Sequence, residues 1–210
     1  MTDTNGRILH RAACYDLLMW LYTVGREGRF RDGLLALVPA QPGDCVLDVG
    51  CGTGSLAIAA KRRVGATGTV CGIDASPAMI ARAMKKARRR GVDVQFQQAL
   101  AEALPFPDAQ FDVVLSTVML HHVPRTARQR CAIEMGRVVK PGGRVLAVDF
   151  GASTDNRRGV FARFHRHGHT KPDDLIALLT GAGLNRLDSG PTGASGLHFV
   201  LAARPIESGR

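Results

Sequence analysis

The sequence contains 210 residues, 45% of them hydrophobic, which is enough for one domain with a substantial core but hardly for two. It begins without the apolar stretch of a secretory signal, and no run approaches the roughly 18 uncharged apolar residues of a membrane span. Its five scattered cysteines form neither a disulfide framework nor a CxxC metal pair. We therefore expect an intracellular protein in a reducing cytoplasm.

The formal net charge of +10 is compatible with an acidic partner such as nucleic acid or an anionic membrane. Much of the excess lies in one segment with helical spacing of its apolar residues, namely in Lys85, Lys86, Arg88, Arg89 and Arg90. Because a charge block carries no specific chemistry by itself, we interpret this segment as a solvated helix face. Peripheral contact with an anionic membrane is the alternative.

The chain opens with two helical patterns, at 15–30 and 32–38, that belong to no βαβ repeat, so residues 1–43 predict a helical cover on the same domain. From residue 44 onward, short apolar runs alternate with helical patterns. The predicted strands are 45–49, 69–73, 94–96, 111–117, 144–149, 184–188 and 198–202. Residues 44–210 thus predict a single doubly wound, Rossmann-like α/β domain with a seven-stranded, mostly parallel sheet.

Two helix boundaries are well marked. Ser76 before Pro77 predicts an N-cap with proline at the first helical position, and Gly91 can end that helix. Thr170 with Asp173 resembles a capping box. The connection at 151–169 is long, polar and basic, and connections of that length are often functional.

The segment VLDVGCGTG at 46–54 places a strand before a glycine-rich turn and a helix. Gly50, Gly52 and Gly54 let the backbone approach a ligand closely, and the helix N-terminus offers unpaired N–H groups. Asp74 ends the next strand, where it can accept hydrogen bonds from the two hydroxyls of a ribose. Together these features predict a nucleotide-like ligand.

The residues around the turn favour S-adenosylmethionine (SAM) over NAD. The dinucleotide fingerprint GxGxxG would need a glycine where Ser55 stands. Asp48 places a carboxylate just before the glycines, where it would repel a pyrophosphate and attract the ammonium group of SAM.

Four segments, VLDVGCGTG, GIDAS, AEALPFPDAQFDVVLSTVMLHHV and RVVKPGGRVLAVDF, together resemble the class I SAM-dependent methyltransferases. The pattern is similar to the ubiquinone/menaquinone C-methyltransferase type and its small-molecule relatives over about residues 44–150. The resemblance implies a cofactor site in which Asp48, Gly50, Cys51 and Gly52 surround the methionine moiety, Asp74 with Ala75 beside it contacts the ribose, Leu100, Ala101 and Glu102 lie near the adenine, Ser116 ends the fourth strand and Tyr15 covers the cofactor.

Leu100 departs from this family, in which Asp is common at that position and accepts a hydrogen bond from the adenine amino group. Leucine cannot accept one, which leaves the backbone around Ala101 and the Gln98 side chain to recognise the base. The loss of one such contact costs on the order of 1 kcal/mol, too little to abolish binding.

Histidines supply the candidate catalytic and metal-binding groups. His121 and His122 follow the fourth strand at the mouth of the expected cleft, where either could act as a general base or orient a loop. His165, His167 and His169 alternate like metal ligands, but no cysteine or carboxylate completes the set nearby. We therefore expect no metal.

The expected function is methyl transfer from SAM to a small lipophilic acceptor such as a quinol or a phenol. The segment STVMLHHV lacks the Asn/Asp-Pro-Pro-aromatic motif of enzymes that methylate base amines, which disfavours nucleic acid as the acceptor. Phospholipid-amine N-methylation is the alternative within enzymes. A SAM-binding regulatory or partner subunit is the alternative outside them.

Overall fold

A computed structural model describes residues 27–151, 171–194 and 196–206. The strands are β1 (Cys45–Val49), β2 (Thr69–Asp74), β3 (Gln95–Gln98), β4 (Phe111–Thr117), β5 (Val139–Phe150), β6 (Asn185–Pro191) and β7 (Leu197–Ala203). The helices are α1 (Glu27–Leu37), α2 (Ser55–Val64), α3 (Pro77–Arg89), α4 (Arg125–Val138) and α5 (Pro172–Thr180), with a short 3₁₀ helix at Leu120–His122. Tyr15, Thr170 and the three alternating histidines lie outside the described residues.

The strands form one seven-stranded sheet in the order β3-β2-β1-β4-β5-β7-β6. Neighbouring strands pair in parallel across the sheet from β3 through β2, β1 and β4 to β5. Strand β7 runs antiparallel to both β5 and β6. The predicted mostly parallel, doubly wound sheet is therefore confirmed. A bulge between Arg186 and Asp188 interrupts the exposed edge strand β6, which makes pairing with another chain less favourable.

Side chains alternate along β1 and divide the core into two layers. Val46 packs in the layer that contains Leu34 of α1 and Ile58 of α2. Leu47 and Val49 pack in the opposite layer, beneath α4 and α5. All five side chains are at most 2% exposed, so this strand is covered on both faces, as its nearly continuous apolar sequence requires.

The start of α3 confirms the predicted cap, because the Ser76 side chain accepts a hydrogen bond from the backbone N–H of Met79. The predicted N-cap at Thr170 was wrong. Helix α5 begins at Pro172, with Lys171 as its N-cap and without a side-chain cap hydrogen bond. Proline favours this boundary because its fixed φ suits the first helical position.

Other element boundaries also differ from the predictions. Helix α1 runs unbroken through Arg31, the residue that separates the two helical patterns of the sequence. Strand β5 begins at Val139 rather than at residue 144, because the Pro-Gly-Gly segment at 141–143 forms an irregular part of the strand.

Helix α1 covers one face of the domain, since its Leu34 and Leu35 are buried in the core. The rest of the predicted cover, residues 1–26, lies outside the described ranges, and its role stays a prediction. The longest helix in those ranges, α4, has 14 residues. None of the helices described has the length and apolar content needed to cross a membrane.

Gly54 provides a test of how tightly the glycine turn packs. Its φ is +77°, and a Cβ there would lie 2.6 Å from Cζ of Phe96 and 2.8 Å from Cβ of Ala83. Gly91 also has a positive φ, of +59°, but a Cβ there would meet open space. We expect Gly91→Ala to lower the free energy of unfolding by about 1 kcal/mol, and Gly54→Ala to lower it by roughly 1–3 kcal/mol more. Urea denaturation of both variants measures the difference, and equal losses would contradict the described packing.

Candidate functional site

The carboxyl ends of β1 and β4 are neighbours at the centre of the sheet, with Val49 opposite Ser116. The chain leaves β1 toward one face and β4 toward the other, so this point is a topological switch, where open α/β sheets bind ligands. An open cleft lies here, between α1 and the glycine turn. Its lining includes Arg31, Asp48, Gly50, Thr53 and Thr117.

Hydrogen bonds fasten the glycine turn to the end of β2. The backbone N–H groups of Gly50 and Cys51 both donate to the Ile73 carbonyl, at 2.9 and 2.8 Å. The Asp74 carboxylate accepts from the Gly52 N–H through Oδ2 at 2.9 Å and from the Ser76 N–H through Oδ1 at 2.8 Å. Each carboxylate oxygen has two lone pairs, so both retain capacity for a ligand hydroxyl.

Asp48 is a buried carboxylate at the base of the cleft, and only 1% of the residue is exposed. Its Oδ2 accepts no hydrogen bond from any described residue. Burial raises the pKa of Asp48 to about 7, against smaller lowering contributions from the Ala57 N–H and the Arg31 charge. Because an ionised carboxylate in such surroundings is costly, a cationic ligand group would be stabilised here.

The backbone after β4 folds sharply over the glycine turn. Val118 has a φ of +54°, which is strained for a β-branched residue. Met119 follows it and lies so close to Gly50 that a Cβ on this glycine would be 2.2 Å from the methionine Cγ. Gly50 is therefore required both for its own φ of +75° and for the packing of Met119.

The loop after β3 lies beside Asp74. The Ala99 N–H donates to the Asp74 carbonyl, and the Gln98 side-chain amide donates to the Ala75 carbonyl. Leu100 is 45% exposed and leads into the half-buried residues Ala101 and Glu102. The structure thus brings the residues expected around the adenine next to the residue expected at the ribose.

Two charged residues of α4 hold the continuation of this loop. Glu134 accepts a hydrogen bond from the Leu104 N–H at 2.7 Å, while Arg137 donates to the Leu104 and Phe106 carbonyls. Arg137 also pairs with Glu134 and with Asp108. The pairing with Arg137 lowers the pKa of Glu134, so the acceptor stays ionised at neutral pH.

The 3₁₀ helix after β4 places His121 against the end of β5. The His121 Nδ1 lies 2.7 Å from Oδ1 of Asp149, and the His121 backbone N–H donates to Oδ2 of the same carboxylate. Asp149 is 2% exposed, and the His122 ring stacks on His121 with centroids 3.8 Å apart. A buried carboxylate on Nδ1 orients the imidazole and favours the tautomer with its hydrogen on Nδ1, and the Nε2 atom is itself buried.

Comparison with known proteins connects this geometry to a family. A family model described as "Methyltransferase domain" matches residues 46–143, which include the glycine turn, β2 and β4. This chain contains a class I SAM-dependent methyltransferase domain.

The methyltransferase domain is similar to a ubiquinone/menaquinone biosynthesis C-methyltransferase of Marinomonas sp., with 36% identity over 66% of this chain and 55% of the relative. It is 38% identical to a demethylmenaquinone methyltransferase of Thermus thermophilus, over 65% of this chain and 60% of the relative. The chain thus spans less than two thirds of either relative. A crystal structure of a SAM-dependent methyltransferase from Aquifex aeolicus shares the fold, with a TM-score of 0.71 and 21% identity over 82% of this chain and 88% of that one.

The methyltransferase domain fits the SAM of its family at two points on the structure. The unsatisfied oxygen of Asp48 matches a cationic amino group, and the Asp74 carboxylate can still accept hydrogen bonds from ribose hydroxyls. The sequence-predicted residues Gly50, Cys51 and Gly52 join these two carboxylates along one edge. Ser116 is buried at the end of β4, on the opposite face of the sheet from Asp48, and its Oγ has no hydrogen-bond partner among the described residues.

Four of the five basic residues predicted to form a solvated helix face at 85–90 are exposed, namely Lys85, Arg88, Arg89 and Arg90. Lys86 was wrongly placed on the solvated face. Its Nζ donates to the hydroxyls of Thr53 and Ser55, at 2.7 Å each, beside the glycine turn. Contact of this segment with an anionic membrane stays a prediction.

Sequence reasoning missed Asp149 and the Glu134–Arg137 pair. The spacing of three residues on a helix was the available signal for the pair, and a carboxylate at a strand end was the signal for Asp149. Within the described ranges, no group of three metal-ligating side chains is arranged to hold an ion. The expectation that His165, His167 and His169 hold no metal ion stays a prediction.

The raised pKa of Asp48 predicts how stability depends on pH. The unfolded carboxyl titrates near its ordinary value of about 3.9, whereas the folded one titrates at about 7. The folded state therefore binds more protons between these values, and the unliganded protein should lose stability as pH rises through this window.

Asp48→Asn removes this titration. The free energy of unfolding of Asp48→Asn minus that of wild type should increase by roughly 2–4 kcal/mol as the pH rises from 4.5 to 8. Urea denaturation across this range measures the difference. A difference between the two proteins that does not change with pH would show that Asp48 stays ionised throughout.

Proposed function

We propose that this protein transfers the methyl group of SAM to a small lipophilic acceptor, with a quinol or a phenol as the acceptor class. The observation that carries the proposal is the His121–Asp149 pair, which holds an oriented imidazole at the ends of β4 and β5. The names of the quinone-methylating relatives support the same acceptor class.

When bound, SAM supplies an electrophilic methyl carbon on its sulfonium. The glycine turn, Asp48 and Asp74 hold the donor along the ends of β1 and β2, while the acceptor lies toward the ends of β4 and β5. The turn at Val118 and Met119 packs against Gly50 of the glycine turn. The contribution of the fold is to align the acceptor with the methyl carbon and to exclude water.

His121 accepts the acceptor's hydroxyl proton at Nε2. Loss of this proton makes a phenolate oxygen, or the ring carbon ortho to it, a better nucleophile. Asp149 holds the hydrogen on Nδ1 and stabilises the imidazolium that forms. Phe150 packs edge-on against the imidazole, at 5.2 Å between centroids, and helps to fix its orientation.

A screen with isotopically labelled SAM tests the acceptor class. Purified protein should methylate quinols or phenols, with S-adenosylhomocysteine (SAH) as the second product. It should leave phospholipid amines and RNA unlabelled. Labelling of phospholipid amines alone would contradict the proposed acceptor. Binding of SAM without transfer to any acceptor would favour a regulatory subunit.

The two histidines provide a matched test of the base. We expect His121→Ala and Asp149→Asn to lower kcat by roughly 10²–10⁴-fold, because a positioned base contributes that much, and to leave the affinity for SAH within about twofold. His122→Ala should lower kcat less than either. Steady-state kinetics with calorimetry measures both quantities. A larger loss in His122→Ala than in His121→Ala would assign the base to His122.

A further inference from the structure

The cleft combines groups of opposite charge close to the glycine turn. Asp48 lies at its base with one oxygen unsatisfied among the described residues, and Arg31 of α1 lines the same cleft. The Arg31 charge contributes to the electrostatic environment of Asp48. The cleft thus offers an acceptor of hydrogen bonds and a cation within a single space.

This combination suits an α-amino acid, which carries an ammonium and a carboxylate on one carbon. Asp48 can receive the ammonium, but its negative charge would repel the carboxylate. A guanidinium is the side chain best suited to a carboxylate, because its planar donors match both oxygens. SAM and SAH each end in such a group.

The packing of α1 gives Arg31 a defined position. Leu34 lies one helical turn further along α1, is 2% exposed and lines the same cleft as Leu56 of α2. Phe30, the neighbour of Arg31, lines the cleft as well. Arg29 is exposed on the same helix and is absent from the lining.

Lys86 adds to the positive potential on this side. It donates to the hydroxyls of Thr53 and Ser55, and both of these residues line the cleft. The N-terminus of α2, which begins at Ser55, contributes a partial positive charge at the same place. Negative charge is therefore favoured near Thr53 and cationic charge near Asp48.

We propose that Arg31 binds the α-carboxylate of the cofactor's methionine moiety, opposite Asp48, which binds its ammonium. This inference rests on the proposed function, because it places SAM in this cleft. It assigns α1 a direct part in cofactor recognition in addition to its role in covering the domain.

Three ligands separate this role from a structural one. SAH carries both charged groups, decarboxylated SAH carries only the ammonium, and 5′-methylthioadenosine carries neither. Calorimetry with wild type, Arg31→Ala and the control Arg29→Ala measures their affinities, and thermal melting checks that each variant is folded.

We expect Arg31→Ala to weaken SAH about 10- to 100-fold, in line with the loss of a charge-assisted pair. Its affinities for decarboxylated SAH and for 5′-methylthioadenosine should stay within about twofold of wild type, and Arg29→Ala should change none of the three. Equal weakening of SAH and decarboxylated SAH, or unchanged SAH affinity, would overturn the role of Arg31. Failure of wild type to bind SAH at all would contradict the proposed function itself.

Discussion

The hydrogen bond from the Gly52 N–H to the Asp74 carboxylate joins the two parts of the site that come from different strands. The same carboxylate accepts the Ser76 N–H at the start of α3, so one side chain sets the glycine turn and the next helix. Both donors are backbone N–H groups, which among the natural amino acids only a substitution to proline would remove. The positions of the glycine turn, the end of β2 and the loop after β3 relative to one another depend on this junction.

The site also contains charge and strain that the fold alone does not require. Asp48 is buried with an unsatisfied oxygen among the described residues, and Val118 adopts a φ of +54°. Such features cost free energy and are common where a ligand compensates for them. A cation beside Asp48 would restore the missing interaction, so cofactor binding and stability of the domain should be coupled.

Sequence patterns predicted the parts of the site that depend on local structure. Gly50, Gly52 and Asp48 lie in one continuous strand–turn segment, and Asp74 follows from the alternation of strands and helices. The pair formed by His121 and Asp149 could not be predicted, because these residues are 28 positions apart and meet only through the pairing of β4 with β5. The adjacent residues His121 and His122 were equivalent candidates until this contact distinguished them.

Residue-level packing was the least predictable feature. Gly50 was expected to admit a ligand, and the structure adds a second constraint, because a Cβ at this position would overlap Met119 from the strained turn after β4. Valine normally favours extended backbone, so a valine at residue 118 does not indicate the positive φ found there. Lys86 likewise belonged to a charged run, and only the packing of α3 on α2 turned it toward Thr53.

The most direct test of this account is a crystal structure of the protein with SAH. We expect the ribose hydroxyls to lie within hydrogen-bond distance of the Asp74 carboxylate, the ligand ammonium to face Asp48, and the sulfur to point toward the ends of β4 and β5. A ligand bound elsewhere on the sheet, or one in the cleft whose ribose makes no contact with Asp74, would contradict the account.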